Sequence, residues 1–510
     1  MKNMKTRYRF LLLVSMTIFS CDQVTIELDP IGDTEAGFFQ NETQMTQAVM
    51  GIYQKMNFFY GFRGGAWLSG IWLLPDDNLT TQGAHQYENF VGLNGSNASL
   101  GLYYQYGYQL IARANTVLQK IEENKATAYR IKPELMNYHQ GEALFLRAWM
   151  YFRLWNTFGN AVPLVAARIT SLDDAYPPSC TGTQMADQAI ADLQEAATLL
   201  PESWDEANKG RVTRNSALGL AGKILVFRGT IAGQAADFTA ALTAFNNITG
   251  ASLMPNYGDN FRATMENNAE SLFEFQANDQ GSQTNPFLNN DEFSVVGELG
   301  AYMGIFTQEP SWIGSNYYTA TQAFKDALEL GDPRSPYLLN LDAPDLRNVV
   351  KYIKDGNRVG NWAAGYNLQR NNLRILRYAD VVLLKAEALV RSGGSKSEAI
   401  GLINQVRERA RKSTADGTEA AVPADLNTGE TNAGTILDWI FRERRIELAF
   451  EEGHRWFDLR RRHLAGEIDL KTWDFASLKP DFNFDDFNVS FPIPEGEIIQ
   501  NPKLIQNTGY

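Results

Sequence analysis

The chain has 510 residues, enough for a large core or for two to four ordinary domains. Its 44% hydrophobic and 21% charged content excludes both a disordered chain and a membrane-embedded one. A net charge of −13 excludes a surface built to bind phosphate backbones, while a neutral ligand stays compatible with it. Two cysteines exclude a disulfide-rich scaffold and cysteine-rich zinc sites.

The first residues read as a targeting segment. Lys2, Lys5, Arg7 and Arg9 form a positive start, and Phe10 to Phe19 is an apolar run too short to span a bilayer of ~30 Å hydrocarbon. It ends in Ile18-Phe19-Ser20-Cys21, similar to the motif at which a lipoprotein is cleaved and acylated, although Phe19 is bulkier than that motif usually carries. Residues 1–20 are thus expected to be a lipoprotein signal peptide, with Cys21 lipidated and 21–34 a tether. Cys180 is then left without a disulfide partner. Without the four leading cations, 42 basic residues face 59 acidic ones, a net charge of −17. No later stretch is apolar enough to span, so the protein is expected to be anchored to a membrane by lipid alone.

From residue 35 onward, apolar residues recur at helical spacing in blocks bounded by Gly or Pro. Helices are expected over 42–57, 99–123, 133–158, 183–199, 213–231, 237–247, 320–329, 373–391, 395–412 and 434–463. Strand signals are few: Ser271 to Gln276, and Val349 to Lys354. The segments around Ser392-Gly393-Gly394 read as two helices joined by a tight turn, with Ala386, Ala388 and Ala399 allowing close approach. This is a tetratricopeptide-like pair, but no regular 34-residue array is legible. The expected fold is mostly α: divergent tetratricopeptide-like helical hairpins form one scaffold over 35–510, with a long loop-rich lobe and a few short strands. The lobe comes from insertions at about 58–98, 248–318 and 331–372, longer than passive connections need to be.

Recognised catalytic patterns are lacking. The four histidines, at 85, 139, 454 and 463, form no His-Glu-x-x-His, and there is no nucleophile elbow, phosphate loop or dinucleotide fingerprint. Asp76-Asp77 and Asp291-Glu292 are the carboxylate pairs a glycoside hydrolase would need. Glu443, Arg444, Glu447, Glu451 and Arg455 are spaced three or four apart, as in ion pairs along a helix, and Arg377 with Asp380 reads the same way. With 29 Phe, 21 Tyr and 10 Trp, rings remain for a binding surface once the core is filled. Trp149, Trp155, Trp439 and Trp456 lie in helical blocks and read as core; Trp67, Trp72, Trp204, Trp312, Trp362 and Trp473 lie in or beside loops.

Five blocks in order resemble the SusD/RagB family. They are Leu28-Asp29-Pro30 with Ala48 to Tyr53; Gly141 to Ala148, running on to Phe158-Gly159-Asn160 and Val162 to Val165; Arg377 to Ala388 with Ile403 to Arg407; Glu443 to Phe450 with Gly453-His454-Arg455 and Phe457 to Arg460; and Phe491 to Pro494 with Asn501-Pro502 and the final Gly509-Tyr510. The resemblance implies a non-enzymatic lipoprotein of the outer membrane, facing the exterior. It would bind an oligosaccharide and pass it to a SusC-like TonB-dependent transporter, without cofactor, metal or nucleic acid. A peptide ligand, which some members of the family take, and a lipoprotein glycoside hydrolase are the alternatives.

A sugar ring has an apolar C–H face and a polar rim, so its site needs flat rings beside hydroxyl partners. Two loop segments offer both. One holds Trp72, Asn78, His85 and Tyr87; the other holds Tyr302, Trp312, Asn316 and Tyr317. These eight residues are the expected ligand contacts, with Trp312 foremost.

Overall fold

A computed structural model describes residues 35, 37–60, 68–81, 85–277, 318–342, 348–352, 371–473, 475, 479 and 481–510, with backbone alone at 358–359 and 368–369. Most of it is helix. The long helices are α1 (Glu42–Lys55), α2 (Ala98–Ala128), α3 (Glu134–Phe158), α4 (Gln184–Leu199), α5 (Arg214–Ala232), α6 (Ala235–Asn246), α7 (Tyr378–Arg391), α8 (Lys396–Lys412), α9 (Ala433–Glu447) and α10 (His454–Leu464). Neighbours in sequence pack as neighbours in space: α2 on α3, α3 on α4, α4 on α5, α5 on α6 and α7 on α8. The two groups join where α7 packs on α5 and α6. No helix among the described residues is long and apolar enough to cross a membrane.

Local chemistry sets the ends of these helices. Thr213 caps α5 by accepting the Ser216 amide, with the Ser216 hydroxyl reaching back to the Thr213 amide. Ser395 accepts the Glu398 amide at 3.1 Å to start α8. Ala386 and Ala399, both fully buried, form with Ile400, Ile403, Val406 and Ile440 an apolar cluster joining α7, α8 and α9. A larger cluster runs from Phe39 to Leu504 and fills the space between the remaining elements.

Strands are short. β1 (Leu79–Thr81) pairs antiparallel with β3 (Tyr318–Ala320), and β2 (Ser271–Phe275) with β4 (Leu373–Arg377). Arg358–Val359 pairs with Leu368–Gln369. Three expectations are corrected here. Residues 373–377 form a strand rather than the start of α7: Leu373, Ile375 and Leu376 with two arginines are too short a stretch to separate strand from helix by periodicity, and only β2 decides it. In the expected strand from Val349 to Lys354, the described residues 349–352 form no strand, and Val349 makes an isolated bridge to Leu339. The expected 434–463 helix is two helices, broken over 448–453, where Phe450 and Gly453 take positive φ.

The charges of this region also pair differently from the helical spacing. Glu447 and Glu451 do not serve neighbours on their own helix; they receive Arg377, which meets Glu451 at 2.8 Å and Glu447 at 3.1 Å, and Glu447 also takes Arg334 at 3.2 Å and Arg409. Asp380 does not pair with Arg377. It accepts Lys223 at 2.8 Å and Arg444. All these groups are buried, because α9 is covered by α7 and α8 and its polar residues must find partners across the fold.

Candidate functional site

The register of β1 with β3 sets the first expected loop segment against Tyr318, the residue that follows the second segment in sequence. Thr81 and Tyr318 are direct cross-strand partners, as are Leu79 and Ala320, although the residues lie more than two hundred positions apart. The pairing continues through Thr321, whose amide donates to the Asn78 carbonyl at 2.8 Å and whose hydroxyl donates to the Asp77 carbonyl at 2.7 Å.

Beneath this junction the first segment is braced by the C-terminal part of the chain. The Arg455 guanidinium grips the Asp77 carboxylate at 2.7 and 2.8 Å, and the Trp473 indole N–H donates to it at 3.2 Å. Arg445 donates to the Asn78 side-chain oxygen at 2.8 Å. Burial alone would raise the Asp77 pKa, but Arg455 with Arg445 and Trp473 outweighs it and holds the carboxyl well below the usual range. For Asp76 burial wins over Lys479 and pushes the pKa up to about 6, while one carboxylate oxygen accepts the Asn78 and Leu79 amides at 2.9 and 3.0 Å. The adjacent carboxylates are thus a loop brace, each committed to protein donors. Glu88 plays a similar part, taking both hydroxyls and one amide of Thr80-Thr81.

Four of the eight expected contacts fall among the described residues, and three of them differ from the expectation of accessible groups. Trp72 has no exposed surface; the Arg153 guanidinium lies 4.3 Å from its ring, and Tyr60 and Tyr103 enclose it. Asn78 is fully buried under Arg445. Tyr87 is 2% exposed, stacks on Phe491 at 5.7 Å and donates its hydroxyl to Asn97 at 2.6 Å. The reason is common to all three: this insertion folds back on the core through short helices and β1 instead of running over the surface. His85 is half-buried. Its Nδ1 accepts the Tyr87 amide at 3.3 Å, capping the helix Gln86–Asn89, and burial, with Lys479 nearby, lowers its pKa to about 4. Tyr302, Trp312, Asn316, Tyr317 and Cys21 lie outside the described residues, as do Trp67, Trp362 and the pair Asp291-Glu292. The sequence reading missed Arg445, Arg455 and Trp473 as supports of this loop, and no local signal could have linked them to Asp77.

Two family models match the chain. One, described as the SusD family, covers residues 348–510; the other, described as starch-binding and associating with the outer membrane, covers residues 68–226. The chain belongs to the SusD/RagB family. The SusD-like protein P2 of Formosa agariphila is 25% identical, with the whole of both chains covered. Among solved structures, a laminarin-binding SusD-like protein is 24% identical with a TM-score of 0.71, covering 92% of this chain and 100% of that one. Surface glycan-binding protein A from Bacteroides uniformis is 22% identical with a TM-score of 0.69, covering 92% and 99%. At such identities the structures establish that the SusD fold is shared; the ligand each takes is its own.

Proposed function

We propose that this SusD/RagB protein is a cell-surface glycan-binding lipoprotein, anchored through Cys21. It captures oligosaccharides outside the outer membrane and passes them to a SusC-like TonB-dependent transporter. The observation that carries the reading is the β1–β3 pairing, in which Thr81 and Tyr318 end two segments rich in rings and hydroxyl partners at one point of a braced scaffold. Trp312, Tyr317 and Tyr302 supply the stacking rings, and Asn316 with His85 supplies hydroxyl partners. Trp72, Asn78 and Tyr87, being buried, support the first segment from within rather than meeting the ligand. The description of the matched model as starch-binding and outer-membrane-associated, and the laminarin named for a solved relative, both favour a neutral glycan.

Calorimetric titration of Trp312→Ala against the glycan the parent binds tests this reading. Loss of a stacked indole costs about 1–3 kcal/mol, a fall of roughly 5- to 150-fold in affinity, with unchanged thermal melting. A variant that melts normally and binds like the parent would remove Trp312 from the site, and a parent that titrates only with peptides would replace the glycan. Anchoring is tested separately. Cys21→Ala is expected to move the protein from the membrane fraction to the soluble one in cells lacking the transporter; retention in the membrane would refute the anchor.

A further inference from the structure

A second concave site lies on the helical scaffold, built from residues other than those at the β1–β3 junction. It is a cavity of about 490 Å³ between the segment joining α4 to α5, the turn after α6 and the approach to β2. That volume falls in the range of small-ligand sites. Trp204 borders it, half-buried, and is held from three sides. Its indole N–H donates to the Val212 carbonyl at 2.9 Å, Tyr138 meets it edge-on at 5.4 Å, and the Arg211 guanidinium lies 4.0 Å from the ring centroid. Arg211 is itself fixed by the fully buried Glu142, at 2.7 and 2.6 Å. The ring is therefore set before any ligand arrives, and little entropy remains to be lost on binding.

The rim is rich in side-chain amides. Asn215 exchanges hydrogen bonds with the Thr249 backbone at 2.6 and 3.3 Å, and Asn267 exchanges them with the Gln276 amide at 2.9 and 3.0 Å. Each asparagine is oriented by these bonds, and each keeps a second amide hydrogen and a second lone pair to offer. A fixed ring beside oriented amides with spare donors and acceptors matches a sugar, apolar on its C–H face and hydroxylated at its rim. Charge narrows the class. The charges lining the cavity are paired, Glu202 with Arg214 at 3.6 Å, Glu206 with Lys209 at 3.9 Å, Glu274 with Arg374 at 3.4 Å and Arg211 with Glu142 at 2.6 Å, so an acidic sugar would find no spare counter-charge there. An extended peptide would need a free strand edge, but the Leu272 carbonyl of β2 is occupied by the Ser216 hydroxyl.

We propose that this cavity is a separate subsite for a short neutral oligosaccharide, with Trp204 as its platform and Asn215 and Asn267 as hydroxyl partners. The sugar class rests on the glycan-binding reading above; the place rests on the cavity's own geometry. The test uses the mature chain, soaked as crystals and titrated in solution with maltotriose and laminaritriose, and with trigalacturonate and a neutral tripeptide as contrasts. Occupancy by a neutral trisaccharide against Trp204 is expected. In a Trp312→Ala background, where the first site no longer contributes, its affinity should fall about 5-fold or more when Trp204→Ala is added. Ala269→Met narrows the exposed rim without removing packed atoms, and is expected to give the same loss if Trp204→Ala fails to fold. An empty cavity with both trisaccharides, or affinity unmoved by Ala269→Met, overturns the proposal while leaving the Trp312 site standing. Occupancy by the uronate or the tripeptide instead overturns the ligand class.

Discussion

Glu447→Gln is expected to lower the unfolding free energy by about 3–5 kcal/mol, the cost of leaving buried cations without their counter-charge. Glu447 has no exposed surface and stands among Arg334, Arg377 and Arg409, all buried. The substitution preserves shape and removes only the charge, so the loss measures uncompensated guanidinium groups and not a cavity. It should appear as a lower denaturant midpoint at unchanged slope. Lys412→Ala, which breaks an exposed pair with Glu408, should leave the midpoint where it is. The same network sets an acid limit. Burial opposes ionisation of Glu447, Glu451 and Glu387, but the arginines around them prevail and lower each pKa from 4.5 to about 2. Folded-state values below the unfolded ones mean that the stabilisation is complete above about pH 4.5 and is lost as pH falls toward 2. Asp76, raised to about 6, acts in the opposite sense and regains stability between about pH 6 and 4. Denaturant midpoints measured from pH 7 to 2.5 should therefore fall steeply only below 4.5, and less steeply in Glu447→Gln. A variant that unfolds with the parent at every pH would show that these arginines are satisfied without Glu447.

Gly453→Ala is expected to cost about 2–4 kcal/mol, from a left-handed backbone and from overlap with packed atoms. Gly453 has φ +73°, and a Cβ there would lie 2.6 Å from the Trp72 carbonyl oxygen and 2.9 Å from the Trp72 Cβ. Neither neighbour is a flexible side-chain end, so backbone must move. Gly393 is the control. It has φ +76° but nothing within 4 Å of the added carbon, so Gly393→Asn should be tolerated while Gly453→Asn should not. Equal tolerance at the two positions, read by thermal melting, would mean that the Trp72 contact imposes no constraint. Because α10 begins at His454 and carries Arg455 to Asp77, a displaced Gly453 should also loosen the brace under the β1–β3 junction.

How much of this was legible beforehand follows from the range of each interaction. Helices α2 to α6 and α8 lie within a few residues of their expected bounds, since amphipathic spacing, the Thr213 and Ser395 caps and Gly233 all act within one or two turns. The family blocks at 141–165 and 377–510 fall inside the regions matched by the two family models. Within the candidate site the sequence singled out the segment that runs through β1, but not that its rings Trp72 and Tyr87 face the core.

The sequence by itself determined the helical scaffold and the family, because periodicity, caps and ordered motifs are local patterns that need no partner to be read. Only the tertiary structure decided that 373–377 is a strand, that Trp72 and Tyr87 are buried, and that Glu447 meets arginines from three other segments. Those outcomes depend on what arrives from elsewhere in the chain. Arg455 and Asp77 are 378 positions apart, and nothing in either neighbourhood encodes the other. A buried charge must have a counter-charge, but the requirement is equally well met by any partner the fold delivers.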